Sequence, residues 1–318
     1  MKTLNNRHGN RVLVTGGAGF IGSHLADKLI EKGYQVIIID NLSAGKKENI
    51  NPKAKFYKLN ICNFKKIEPL FKDIDFVFHL AAMPRVPFSV KEPVKTSENN
   101  ILGTINVFKA SHDHNVKRIV FASSSSVYGN QKKLPLKETA ETKPLSPYAL
   151  QKSVGEQFAK LFNELYKIQI VCLRFFNVYG PRIDFDSEYS LVLGRFLKQK
   201  RNREPLTIFG TGEQTRSFSF VDDVVEANIK AMKSKKIKGF EIINIGSKQS
   251  YSINYLAEII GGPKKYLPIR KGDPLHTKAD ITRAKKLLNW KPKTPFDKGI
   301  KKTEKWFINK YQYYKNSC

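Results

Sequence analysis

The chain has 318 residues, 41% hydrophobic and 26% charged, which is room for one large or two modest domains of ordinary globular composition. No apolar run approaches the roughly 18 residues of a membrane span, and the opening Met1-Lys2-Thr3-Leu4-Asn5-Asn6-Arg7 lacks the apolar core of a secretory signal. Cys62, Cys172 and Cys318 and the six histidines show no metal-ligand spacing, so neither a disulfide framework nor a metal site is expected and the chain reads as cytoplasmic.

The 56 Lys+Arg against 28 Asp+Glu give a net charge of +28, a field that attracts nucleic acid, anionic membranes or phosphorylated substrates. The lysines are dispersed in pairs such as Lys46-Lys47, Lys132-Lys133 and Lys235-Lys236, without interleaved aromatics. Binders of nucleic acid concentrate their basic residues on one face. We therefore expect a solvated surface, with no nucleic-acid or membrane partner.

In chain order, Arg11-Val12-Leu13-Val14-Thr15 is a short apolar run stopped by glycines, which predicts a strand. Ile21, Leu25 and Leu29 follow at i+4 spacing, a helix closed by Gly33. Val36-Ile37-Ile38-Ile39 is apolar on both faces, as a strand inside a parallel sheet must be. Further strands are expected at 56–59, 76–80, 119–122 and 170–173. Helices are expected around Ile101, Ile105 and Phe108, and around Leu150, Val154, Phe158 and Leu161. Repeated β-α units of this kind specify an α/β fold with a Rossmann-like doubly wound parallel sheet.

After about Arg174 the pattern loosens. Residues 184–188 are polar and 211–215 form a loop, while a helix over 222–232 and a strand over 242–245 return to the sheet. Prolines at 263, 268, 274, 292 and 295 mark a more irregular remainder. The expected division is a Rossmann domain over 1–176, to which 215–248 returns, and a smaller α/β substrate-binding lobe from 177–214 and 249–318. The ligand of an open sheet lies at the carboxyl ends of its strands, where such a lobe covers it.

Gly16-Gly17-Ala18-Gly19-Phe20-Ile21-Gly22 is a GxxGxxG between the first strand and first helix. Gly16 permits the tight turn, Gly19 lets a pyrophosphate approach the backbone, Gly22 lets the helix pack on the strand, and the helix N-terminus supplies positive potential. Asp40 ends the second strand, 18 residues beyond Gly22. An acid there accepts from ribose hydroxyls and repels a 2′-phosphate, which favours NAD over NADP. Tyr148 and Lys152 stand at i,i+4 on a helix begun by Ser146-Pro147, so both side chains share one face. A cation beside a phenol favours phenolate, so Tyr148 is expected to titrate well below its ordinary value of about 10 and act as a base. Ser123-Ser124-Ser125-Ser126, just after a strand, brings hydroxyls to the same end of the sheet.

With these segments in view, the sequence resembles the extended short-chain dehydrogenase/reductases, and within them the NAD-dependent UDP-sugar 4-epimerases. Val14 to Leu25 is similar to the family's opening, and Asp40-Asn41-Leu42-Ser43 to its ribose segment. His79-Leu80-Ala81-Ala82 and Asn99-Asn100-Ile101-Leu102-Gly103-Thr104 resemble its cofactor-facing segments. Ser123 to Gly129 and Ser146 to Lys152 resemble its catalytic ones, and Leu173 to Pro181 its entry into the nucleotide-sugar lobe. The resemblance implies NAD contacts from Gly16, Gly19, Phe20, Ile21, Gly22, Asp40, Asn41, Leu42, Ser43, Asn60, Ile61, Leu80, Ala81, Ala82, Asn99, Ser123, Tyr148 and Lys152. It makes Ser124 the catalytic serine, Tyr148 the base and Lys152 its electrostatic partner. It implies substrate contacts from Ser124, Ser125, Ser126 and Asn177, with Arg216 on the UDP diphosphate and Arg270 and Asp273 on phosphate and ribose.

The implied reaction is C4 epimerisation of a UDP-sugar. Tyr148 takes the O4 proton while C4 passes hydride to NAD, and the 4-keto sugar turns over and accepts hydride on its other face. Phosphate-binding arginines anchor UDP meanwhile, remote binding energy holding the intermediate. Ser125 and Ser126 replace the Asp-Glu pair of the 4,6-dehydratases, which disfavours dehydration. Thr277 stands at the family's gate position, where strict galactose epimerases carry tyrosine. That points to UDP-GlcNAc/UDP-GalNAc beside or instead of UDP-Glc/UDP-Gal. Asn60 replaces an aspartate near the adenine, and Arg85 beside the sugar pocket keeps UDP-glucuronate as an alternative, with net nucleotide-sugar oxidoreduction another. A homodimer through the helices over 95–111 and 148–165 is the assembly the resemblance implies.

Overall fold

The computed structural model describes residues 10–185, 190–269 and 274–315. Seven strands form one sheet in the spatial order Phe240–Ile245, Gln169–Phe175, Arg118–Ser124, Phe76–His79, Arg11–Thr15, Gln35–Asp40 and Lys55–Lys58. Every pairing in it is parallel. Successive side chains leave such a sheet on opposite faces, and the sequence supplies apolar residues to both. Val12, Val14, Ile38, Phe78 and Val120 enter one core. Their neighbours Leu13, Ile37, Ile39, Val77, Ile119 and Phe121 enter the other. The chain reverses its winding between Arg11–Thr15 and Phe76–His79, the switch point where an open α/β sheet leaves a ligand crevice.

The Pro147–Tyr166 helix packs on this sheet through Tyr148, Gln151, Lys152, Gly155, Ala159 and Phe162. A Cβ on Gly155 would stand 2.8 Å from the Phe121 ring, so the missing side chain sets the close approach. The apolar stripe read from the sequence points partly the other way: Leu150 and Leu161 face solvent, as does Leu165. The inward face carries Tyr148 and Lys152 to the crevice, with Gly155, Ala159 and Phe162 against the sheet behind them. Ahead of it, Glu98–Leu102 is a turn of π-helix between the Pro93–Ser97 and Gly103–Asp113 helices. Such a turn turns side chains out of α-helical register, and is often found at functional sites.

Beyond Phe175 the architecture changes. Strand Phe240–Ile245 and helix Val221–Lys233 do return to the main sheet. The remainder is assembled from three two-stranded pairs: Val178–Tyr179 with Ser219–Phe220, Thr215–Arg216 with Tyr251–Ser252, and Leu206–Phe209 with Lys264–Leu267. A third core joins them, made from Phe196, Leu206, Ile208, Phe218, Leu256 and Phe296 among others. Phe20 packs against both this core and one face of the large sheet. The region is more regular than its prolines suggest, for helix Phe296–Lys315 runs 20 residues. No helix among the described residues is long and apolar enough to cross a membrane.

Candidate active site

One cavity of about 470 Å³ opens at the carboxyl ends of the strands, lined from both the sheet and the smaller cores. At its floor Gly16 takes a left-handed φ of +73°, and its N–H donates to Ile39 O at 2.8 Å. A Cβ there would meet Ala81 N at 2.7 Å, and one on Gly22 would meet Gly16 O at 2.1 Å. Around Gly19 a Cβ would touch only Gly16 O, at 3.2 Å, because its open side faces the cavity. Gly19 caps the Phe20–Glu31 helix without a side chain, leaving the first-turn amides directed at a ligand. Such a turn has the shape and the exposed amides that fit a pyrophosphate.

Asp40 is buried at the neighbouring strand end. Its Oδ2 accepts from Ala18 N at 3.0 Å and its Oδ1 from Leu42 N at 2.8 Å. Burial pushes the carboxyl up from its ordinary pKa and the two amides pull it back. Each oxygen keeps a further acceptor position, as a vicinal ribose diol requires. The residues present therefore fit an adenine dinucleotide. Leu42 takes part through its backbone: its N–H donates to Asp40, and its side chain is not part of the cavity wall. The carboxamide oxygen of Asn60 accepts from Cys62 N at 2.9 Å, and the residue lies off the cavity wall. Its short side chain closes its own turn.

Leu80, Ala81 and Ala82 form the next part of the wall. Thr15 and His79 are register partners in the sheet, and Thr15 Oγ1 lies 2.7 Å from His79 Nδ1. His79 Nε2 lies 3.0 Å from Thr104 Oγ1, whose own proton goes to Asn100 O at 2.7 Å. The ring therefore donates from Nε2 and accepts at Nδ1 from the Thr15 hydroxyl. Burial holds its pKa well below the ordinary value, so it stays neutral. Thr15 in turn accepts from Ala81 N, while Asn100 holds Met83 through both backbone groups and reaches Gln151 at 2.7 Å. The network ties the cofactor-side loop to the helix that carries Tyr148 and Lys152.

On that helix Ser146 Oγ accepts from Ala149 N and Pro147 takes the first position. Lys152 Nζ donates to Ala122 O at 2.7 Å, and burial lowers its pKa to about 8. Tyr148 is buried too, and its phenol lies above the ordinary value, which corrects the expectation that Lys152 draws it down. Desolvation dominates; the neighbouring Ser124 hydroxyl and the charge of Arg85 act against it. Ser124 Oγ accepts from Ser126 N at 3.1 Å and from Ser126 Oγ at 2.9 Å, so its own proton is available to a group in the cavity. Behind it Ser123 Oγ donates to Glu156 at 2.6 Å, and Arg174 grips the same carboxylate through two nitrogens at 2.8 and 2.6 Å.

Across the cavity Asn177, at a φ of 31°, donates to Ser217 O at 3.2 Å. Thr277 is buried and its hydroxyl accepts from Ser217 N at 3.3 Å. Arg216 Nη1 donates to Thr215 O and Leu275 O, each at 3.0 Å, on the wall. The cavity thus brings together the glycine cradle, Phe20, Ile21, Asp40, Asn41, Ser43, Ile61, Asn99, the four serines, Tyr148, Lys152, Asn177, Arg216 and Thr277. Arg270 and Asp273 lie outside the described residues. Sequence reasoning missed Arg182, Asp184, Arg195 and Phe209, which also line it. The guanidinium of Arg195 sits 5.0 Å from the Phe209 ring centre, a flat cationic and aromatic corner. Nothing in the local sequence separates these from other surface cations and loop aromatics.

Residues 12–246 match the profile of the NAD dependent epimerase/dehydratase family. A UDP-glucose 4-epimerase from Thermotoga maritima, solved with UDP-glucose, is 39% identical with a TM-score of 0.91, covering 95% of this chain and 99% of that one. A UDP-N-acetylglucosamine 4-epimerase from Methanobrevibacter ruminantium M1, in complex with UDP-N-acetylmuramic acid, is 41% identical at a TM-score of 0.90, over 95% and 99%. A UDP-glucuronic acid 4-epimerase from Bacillus cereus, in complex with UDP-glucuronic acid and NAD, is 34% identical at 0.89, over 95% and 100%.

Proposed function

The chain belongs to the NAD-dependent epimerase/dehydratase family, and from that premise we propose that it is a 4-epimerase of UDP-hexoses and UDP-N-acetylhexosamines acting through a transient 4-keto sugar. The carrying observation is that Tyr148, Ser124 and Lys152 line the same cavity as the glycine cradle and Arg216. NAD would be held by Gly16, Gly19, Gly22 and Asp40 and would supply a two-electron acceptor and donor for C4.

Tyr148 removes and returns the O4 proton. Ser124 donates to that phenolate and holds the O4 atom, as positioned acid–base groups do. Lys152, buried and charged below about pH 8, supplies the cation on the same helix face. Asn177, Ser125 and Ser126 face the sugar, and Arg216 takes the diphosphate, so the ring can turn while the nucleotide stays anchored. Arg270 and Asp273 join that anchor in this reading.

Thr277 leaves room for a 2-acetamido group, which carries the N-acetylhexosamine part of the proposal. The second reading, a uronate 4-epimerase, rests on Arg85 at the cavity wall and the likeness to the Bacillus cereus enzyme. We read the assembly as a cytoplasmic homodimer, because Leu150, Leu161 and Leu165 leave an apolar stripe exposed on the Pro147–Tyr166 helix.

The test is incubation of the purified protein, without added cofactor, with UDP-GlcNAc, UDP-Glc and UDP-GlcA separately, followed by proton NMR of the C4 position. The axial epimer is expected from the neutral sugars, and its loss in Tyr148→Phe. No epimer from any of the three, with NAD then added, would overturn the reading.

A further inference from the structure

Arg85 and Asp184 come from opposite walls of the cavity and meet inside it. Arg85 follows the strand Phe76–His79 and its carbonyl accepts the first helical bond, from Ser89 N at 2.9 Å. The nearby backbone of Met83 is held by Asn100. Asp184 belongs to the facing lobe, where its carbonyl lies against Gly194 so closely that a Cβ there would stand 2.5 Å away. Both backbones are thus fixed by neighbours. Arg85 Nη2 and Asp184 Oδ2 are 2.5 Å apart, with side chains 19% and 27% exposed, and both residues line the cavity.

We propose that this ion pair is a charge filter of the sugar subsite, which admits sugars with a neutral C6 substituent and rejects uronates. The inference rests on the UDP-sugar reading given above and narrows its substrate class. An unpaired guanidinium beside the reacting end would welcome a C6 carboxylate as a bidentate partner. Here the guanidinium already holds a carboxylate, and a uronate would have to displace Asp184 or approach it. Both alternatives set two negative charges within a few ångströms in a partly desolvated cleft. A hydroxymethyl group meets neither opposition and can accept a hydrogen bond from the remaining guanidinium protons. Arg85 lies three residues beyond Ala82 and shares the cavity wall with Tyr148, Ser124 and Asn177, which places the pair on the sugar side of the proposed site.

The test measures Kd for UDP-glucose and UDP-glucuronate by calorimetry on the NAD-loaded protein, with turnover of each followed by NMR. The wild-type protein is expected to bind UDP-glucose more tightly. Asp184→Asn should shift the glucuronate-to-glucose affinity ratio toward glucuronate by about tenfold, an effect that high salt weakens. Arg85→Gln should shift it the other way, since it removes the cation and keeps the Asp184 carboxylate; this second variant decides the matter if the first fails to fold. Tighter wild-type binding of UDP-glucuronate, or an unchanged ratio in both variants, overturns the filter. Binding with the expected ratio but no epimer from either sugar overturns the epimerase reading alone. Binding of neither overturns both.

Discussion

The two walls of the cavity are built on different principles. On the dinucleotide side every functional group is aimed by a continuous parallel sheet and the groups packed directly on it. Thr15 meets His79 because they are register partners, and Asp40 and Ser124 each end a strand. On the sugar side the aim comes from loop carbonyls and amides. Asn177 and Thr277 converge on Ser217, and Arg216 rests on Leu275 O. The first wall resists displacement, since moving one residue breaks a sheet ladder. The second is joined by two-stranded pairs and can be revised residue by residue. A reaction in which one ligand stays fixed while the other turns over needs that asymmetry.

The largest way to break the comparison lies behind the sheet wall. Glu156 is buried, accepts from Ser123 and is held by both forks of Arg174. Glu156→Ala leaves a buried guanidinium without its anion, expected to cost about 3–5 kcal/mol in urea unfolding. Between the walls, Arg182 of the sugar side pairs with Asp27 of the Phe20–Glu31 helix at 2.8 Å, partly exposed, and Asp27→Ala should cost below about 1 kcal/mol. Equal losses would mean that the sheet side is held no more firmly than this contact between the walls.

The glycines sharpen the contrast within one loop. Gly22→Ala forces a methyl into Gly16 O and is expected to destabilise by about 1–3 kcal/mol, read as a lower unfolding midpoint. Gly19→Ala meets only one atom at 3.2 Å and points its methyl at the ligand. Its unfolding should stay close to the parent's while NAD affinity, measured by calorimetry, falls at least tenfold. If Gly19→Ala lost stability and kept NAD, the cradle would be misassigned.

What was legible in the sequence follows the same line. A strand buried on both faces must be apolar throughout, so 36–39 announces itself, and a turn that tolerates no Cβ must be glycine, so the Gly16–Gly22 loop does too. Periodicity along 150–161 gave the Pro147–Tyr166 helix but not its orientation. Leu150 and Leu161 satisfy the period yet face outward, while the inward face is spent on Tyr148, Lys152 and Gly155. Asn60 aligned with a ligand contact, but whether a carboxamide caps its own turn or reaches a ligand depends on a side-chain torsion the sequence does not carry. Arg195 and Phe209 were missed because a cavity formed by distant loops imposes no spacing on the chain.

The smallest expected effect concerns the gate, and it decides whether the sugar wall can be tuned without loss of fold. Thr277→Val keeps nearly the same volume and removes the acceptor of Ser217 N, at 3.3 Å, and of Asn177 Nδ2, at 3.5 Å, a cost of about 1 kcal/mol. UDP-GalNAc and UDP-Gal turnover should then fall together, if at all. Thr277→Tyr adds bulk at a position only 2% exposed that forms part of the cavity wall. It should abolish UDP-GalNAc turnover while UDP-Gal turnover persists, followed by NMR for both sugars in each variant. A parallel loss of both in Thr277→Tyr would assign Thr277 to packing rather than selection. A split between the sugars, with the valine variant unchanged, would mean that volume at this one position selects the substrate, as a wall aimed by loops rather than by a sheet allows.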